Sequence, residues 1–202
     1  MNSSQVSCRI GTNNLQAGIK AAEAALATDD EELYIGIVNY DVNSANGQQR
    51  ELGFRQTVEQ DPRVKNITTI NVLSTTEDAR AGAKEMLLSD SRINVVVTFN
   101  EWTSLGVGWA IRDLNRADRI QVVAFDSNVV SVGMLETGEV DALIVQNPYA
   151  MGYLGVETAA NLMNGQTGGP SVVDTATTIV TRENMYEPES QKILFSFEEE
   201  GY

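Results

Sequence analysis

Four apolar runs of this chain end in short clusters of polar side chains. The clusters are Asn39-Tyr40-Asp41, Phe99-Asn100-Glu101-Trp102, Phe125-Asp126-Ser127 and Gln146-Asn147-Pro148. A carboxylate accepts from two hydroxyls, and an amide both donates and accepts. These residue types therefore suit a small polyhydroxylated ligand. Trp102, at a loop-to-helix junction, fits the rim of such a site as well as it fits packing. Taken singly, Asn100 and Asp126 also fit helix caps. Asn100, Asp126 and Gln146 closing three successive runs favour one shared site.

Other chemistries find less support. The chain has no histidine, which removes Ser-His-Asp and Cys-His pairs and imidazole zinc sites. A lone Cys8 excludes an internal disulfide. No spacing matches a calcium loop or another metal site, and no cofactor is implied. Gly106-Val107-Gly108 resembles part of a dinucleotide fingerprint, but it sits inside a helix and lacks the third glycine. Trp109 reads as helix packing. Without a phosphate loop or a poised nucleophile, an enzyme is not expected.

The charge balance points the same way. Lys and Arg number 14 against 28 acidic residues, a net charge of -14 over 202 residues. Such a surface repels nucleic acid and anionic membranes. No run reaches the roughly 18 apolar residues of a membrane span. The N-terminal MNSSQVSCRIGTNN lacks the charged and apolar regions of a signal peptide. The expectation is an intracellular protein, or a mature or truncated form.

The positioning elements follow from pattern. Strands are expected at 33–39, 67–73, 93–99, 120–125 and 141–146. INVVVTF and IQVVAF are nearly continuous apolar runs, as in parallel strands covered on both faces. Asn14 is expected to cap a helix carrying Leu15, Ile19, Ala22 and Leu26 on one face. Further helices are expected at 47–59, at 77–88 capped by Thr76, at 101–115, at 129–137 stopped by Gly138, and at 148–164 ended by Gly165. GQTGGPS, 165–171, reads as a loop, and 172–181 as one more strand. The tail from Asn184 is acidic, although ILFSF at 193–197 is apolar enough to dock; Glu198 to Glu200 read as solvated. Strands starting every 20 to 35 residues or so make βαβ units. The fold class is thus α/β: a three-layer αβα sandwich around a mainly parallel, doubly wound sheet. In such a sheet ligands bind at the carboxyl ends of the strands.

The order of motifs resembles the ribose-binding branch of the type I periplasmic binding proteins, whose ligand domains are shared with LacI-type regulators. The matching stretches are Gly11 to Asn14, Ser44 to Arg50 with Gly53-Phe54, TFNEWTSLGVGWAI, VVAFDS, LIVQNPYAMG and TIVTREN. They occur in order over roughly residues 10 to 185.

The resemblance implies that Asn100, Asp126 and Gln146 hydrogen-bond a sugar. It places Gln48 where the family often has a ligand-clamping arginine, and Ser74 near a position held by an aromatic in the ribose receptor. Arg50 matches a second family arginine and reads as structural. The resemblance further implies that residues 10–183 form the C-terminal lobe, with 184–202 an acidic tail. By the same resemblance, most of the N-terminal lobe is expected to lie outside these residues. Helix 148–165 normally packs on that lobe, so its apolar residues are expected to repack or to form a homodimer. The implied partners are a small-molecule sugar and, in the parent protein, an ABC transporter permease or a membrane sensor at the cell envelope. The alternative is the effector domain of a LacI-type regulator.

Overall fold

A computed structural model describes residues 6–166 and 169–195. In chain order the elements are β1 (Arg9–Thr12), α1 (Asn14–Leu26), β2 (Leu33–Asn39), α2 (Ala45–Val58), β3 (Val64–Asn71), α3 (Thr76–Ser89), β4 (Val95–Thr98) and α4 (Glu101–Leu114). Then come β5 (Gln121–Phe125), α5 (Val129–Thr137), β6 (Ala142–Val145), α6 (Pro148–Met163), β7 (Val172–Thr175), β8 (Thr178–Thr181) and α7 (Pro188–Leu194).

Six strands form one sheet in the order β3-β2-β4-β5-β6-β8. All its pairings are parallel except that of β8 with β6. The strand order reverses between β2 and β4, and in open α/β sheets ligands bind beyond the carboxyl ends at such a reversal. Alternation along each strand feeds two cores. Val95, Val97 and Phe99 join the core under α1 and α2, while Val96 joins the core under α3, α4 and α5. Phe54, Phe99 and Phe125 stack edge to face with centroids 6.0 and 5.8 Å apart, directly behind the strand ends. This is the αβα sandwich that the pattern implies.

Two glycines let α1 and α2 cross closely. A Cβ at Gly18 would lie 2.0 Å from the carbonyl oxygen of Arg50, and one at Gly53 would lie 2.1 Å from that of Leu15. The crossing therefore fixes the backbone from which the Arg50 side chain springs.

A second, smaller unit sits beside the main sheet. β1 and β7 pair in parallel as a two-stranded sheet, with α6 against β1. No residue of α6 is buried.

Several local expectations need correction. Residues 172–181 form two strands in different sheets, because the chain crosses between the sheets at Ala176-Thr177, where Lys20 Nζ donates to the Thr177 carbonyl. α1 is capped by Asn13, whose Oδ1 accepts the Gln16 N–H, and α3 by Thr75, whose hydroxyl accepts that of Asp78. The acidic tail contains α7, and Leu194 reaches the core beside Met185. Residues 196–202, and with them the expected solvation of Glu198 to Glu200, lie outside the described residues.

Candidate functional site

The site is built where β4, β5 and β6 end. After β4 the chain turns at Asn100, which caps α4. Its Oδ1 accepts the Thr103 N–H at 2.9 Å and the Thr103 hydroxyl at 2.7 Å. Its Nδ2 stays free of the cap and donates to Ser74 Oγ at 2.7 Å. Capping and site geometry are thus divided between the two ends of one amide.

After β5 the chain turns at Asp126, whose φ of 68° is left-handed. Aspartate tolerates that region better than most residues. The Asp126 N–H still donates to the Ile144 carbonyl at 3.1 Å, so the turn begins from a paired strand. Its Oδ2 accepts the Glu101 N–H at 3.1 Å, and its Oδ1 accepts a hydrogen from Gln146 Nε2. Each oxygen keeps a lone pair for a ligand hydroxyl. Burial pushes the Asp126 carboxyl above the usual aspartate range. The Gln146 bond, the Arg50 charge and the Glu101 N–H pull it back, while the Glu101 carboxylate adds to the rise.

After β6 comes Gln146. Its Oε1 accepts the Thr12 hydroxyl at 2.6 Å and Nη2 of Arg50 at 3.0 Å. Arg50 is 3% exposed and holds three elements together. Its Nε donates to Asn14 Oδ1 at 2.9 Å and its Nη1 to the Phe99 carbonyl at 2.5 Å, and its guanidinium lies 4.7 Å over the Phe125 ring. Burial pulls its pKa down and Asp126 counteracts this.

Asp126 is thus joined directly to Gln146 and, through the Glu101 N–H, to the turn that begins at Asn100, whose side chain reaches Ser74. Trp102 stands exposed on the first turn of α4. Gln48 is exposed near the start of α2, and its Nε2 donates to the Val42 carbonyl. Glu101, from the expected strand-end cluster, belongs to the same constellation, as do Thr12 and Asn14, which were not expected there. Thr12 meets Gln146 across 134 positions, a separation that leaves no local signal. Gly106 and Trp109 serve packing. A Cβ at Gly106 would lie 2.5 Å from that of Ala79, and Trp109 lies under Arg112 and Arg80.

Among the described residues, no group of three His, Cys, Asp or Glu side chains could hold a metal ion. A hollow of about 670 Å³ lies at the opposite ends of the strands, lined by Asn94, Gln121, Asp141 and Arg182 among others. None of the strand-end residues above lines it, and its own polar groups pair among themselves, Arg182 with Asp141 and Asn94 with Asp30.

A profile of the periplasmic binding protein domain matches residues 1–167. The chain belongs to that family. The D-ribose/D-allose-binding protein of Pseudomonas aeruginosa is 28% identical over 150 residues, which cover 73% of this chain and 47% of that protein. A carbohydrate transporter solute-binding protein of Agrobacterium radiobacter, solved in complex with D-arabinose, superposes with a TM-score of 0.88 at 28% identity, covering 93% of this chain and 65% of that one. A sugar ABC transporter sugar-binding protein of Bacillus halodurans superposes with a TM-score of 0.83, also at 28% identity, covering 89% and 65%. The chain thus spans about half to two thirds of the length of these periplasmic binding relatives.

Proposed function

We propose that this chain supplies one wall of a sugar site in a solute-binding protein of an ABC transporter. One observation carries the reading: Asn100, Asp126 and Gln146 close three neighbouring strands, and Asp126 is hydrogen-bonded both to Gln146 and to the turn that Asn100 begins, so we take the space before them as one polar hollow. In that hollow Asp126 accepts from a sugar hydroxyl, Asn100 Nδ2 and Gln146 Nε2 donate, and Ser74, Gln48 and Trp102 form the rim. No turnover is part of this reading, since the hollow holds acceptors and donors but no nucleophile beside a base. Residues 10–183 act as the C-terminal lobe, and α6, β1 and β7 carry surface of the opposing lobe. Closure of two lobes would exclude water and add contacts from both sides. The parent protein then works at the cell envelope with a permease or a membrane sensor.

The relatives support the reading: one is named for D-ribose and D-allose, and another holds D-arabinose. The exposed face of α6, with Tyr149, Tyr153, Val156 and Met163, fits pairing with a second copy when the opposing lobe is not present.

The test is calorimetric titration of the protein with D-ribose, D-allose and D-arabinose. Saturable binding of at least one supports the proposal. Binding of none, in the chain and in the protein carrying both lobes, sinks it.

A further inference from the structure

Gln146 offers one amide oxygen and two amide hydrogens. The oxygen takes Thr12 Oγ1 at 2.6 Å and Arg50 Nη2 at 3.0 Å, and one hydrogen goes to Asp126. These partners come from the end of β1, from α2 and from the end of β5. Turning the amide over would set its N–H groups against the N–H of Arg50 and its oxygen against the Asp126 carboxylate. Both attractions would become repulsions, in a half-buried setting where water screens them weakly. Arg50 cannot leave to meet a ligand, because its fork is engaged on three sides and its ring stacking is covered. Its backbone is pinned by the close crossing at Gly18.

We infer that Thr12 and Arg50 are positioning residues that lock the Gln146 amide, so that Gln146 meets the ligand only as a donor and Asp126 meets it only as an acceptor. The ligand atom opposite Gln146 is then an acceptor, a ring or hydroxyl oxygen. The ligand group opposite Asp126 is a hydroxyl that gives its hydrogen. A deoxygenated carbon at either place leaves a polar group unpaired. Thr12 lies on β1 and Gln146 precedes α6, so the lock also ties two of the crossings between the main sheet and the smaller unit. Only the affinity arm of the test below rests on the sugar reading.

The lock is read without any ligand. In the 15N-labelled chain the side-chain amide of Gln146 is assigned by its loss in Gln146→Leu. Its hydrogens are expected to exchange with water about fivefold faster in Thr12→Val, which removes one hydrogen bond at nearly constant shape. Thr12→Ser restores the hydroxyl and is expected to restore slow exchange. Arg50→Lys keeps the charge, loses the fork and is expected to speed exchange as well, which keeps the test alive if Thr12→Val misfolds by circular dichroism. Unchanged exchange in a folded Thr12→Val or Arg50→Lys overturns the lock. For affinity, D-arabinose binding is expected to weaken several-fold in Thr12→Val and to recover in Thr12→Ser; equal affinity in all three overturns the proposal. A wild-type chain that binds no sugar defeats the sugar reading, while the exchange rates still decide the lock.

Discussion

The Oδ2 of Asp126 accepts the N–H of Glu101 at 3.1 Å, which ties the turn after β5 to the first turn of α4. The carboxylate thus sits at the positive end of a helix, where negative charge is favoured. It is also largely buried, beside the Glu101 carboxylate, and both disfavour negative charge. Burial is the largest of these effects, and it raises the carboxyl pKa. Its charge is therefore incompletely solvated, which under the proposed function leaves it to be completed by a ligand hydroxyl.

This balance sets a pH dependence. The folded pKa of Asp126 lies above 3.8, its ordinary value, so the fold binds the proton more tightly than the unfolded chain does. Its contribution to folding stability is fully present below pH 3.8 and is lost as pH rises through the folded value. Ligand affinity runs the other way, because only the ionised form offers all its lone pairs. Affinity for D-arabinose is expected to fall as pH drops through the raised value, with a midpoint above 3.8 that coincides with the Asp126 carboxyl titration by 13C NMR. At neutral pH, Asp126→Ala is expected to weaken binding by about 1.5 to 3 kcal/mol. Unchanged affinity in the variant would show that the carboxylate only joins β5 to α4.

Asn100 allows capping to be separated from binding. Its Oδ1 caps α4 while its Nδ2 reaches Ser74. Asn100→Asp keeps the capping acceptor and removes the donor, so melting is expected to change little while sugar affinity drops. Asn100→Ala loses both and is expected to cost about 1 kcal/mol of stability as well. Parallel thermal melts and titrations of the two variants check this. Equal affinity in Asn100→Asp and the parent would leave Asn100 as a cap alone.

How far the sequence carries depends on how local each cause is. β2 runs from Leu33 to Asn39 as its apolar pattern implies, and α5 spans Val129–Thr137 with Gly138 left-handed at φ 89°. Both are set by contiguous residues. The caps of α1 and α3 fall one residue early because each helix begins with two adjacent candidates. Asn13 and Asn14 are chemically alike, and the choice is made by Arg50, which engages Asn14 from α2. β1 is four residues long and pairs with β7 some 160 positions away, so no window of sequence contains its cause. The same holds for the site. Asn100, Asp126 and Gln146 were legible as strand ends, whereas the link from Thr12 and Arg50 to Gln146 exists only after the sheet has formed.

The crossing of α1 and α2 carries Arg50, and it depends on having no side chain at Gly53. A Cβ there would stand 2.1 Å from the Leu15 carbonyl oxygen, and backbone cannot yield as a side chain can. Gly53→Ala is expected to push the helices apart and cost about 3 kcal/mol. Denaturant melts give the loss directly. The Asp126 carboxyl titration is expected to move as well, because Arg50 would retreat from it. A variant as stable as the parent would mean that the two helices separate freely and that their contact does not set Arg50.

The exposed face of α6 leads to a prediction about assembly. Tyr149, Tyr153, Val156 and Met163 recur at spacings of four, three and seven, which places them on one side of the helix. All four are exposed, and Gly152, which lies beside Tyr149, Tyr153 and Val156, is small enough for a second helix to approach. Water against such a stripe is unfavourable, and burial against a like stripe removes it. Sedimentation equilibrium of this chain is expected to show reversible self-association that weakens in Tyr153→Lys and disappears in Tyr153→Lys with Val156→Glu. Because no residue of α6 is buried within the chain, both variants are expected to melt within about 0.5 kcal/mol of the parent. A parent that stays monomeric at high concentration would show that this face finds no partner in a second copy. Association that survives both substitutions would place the contact elsewhere, with the open edges of β1 and β7 the next surface to alter.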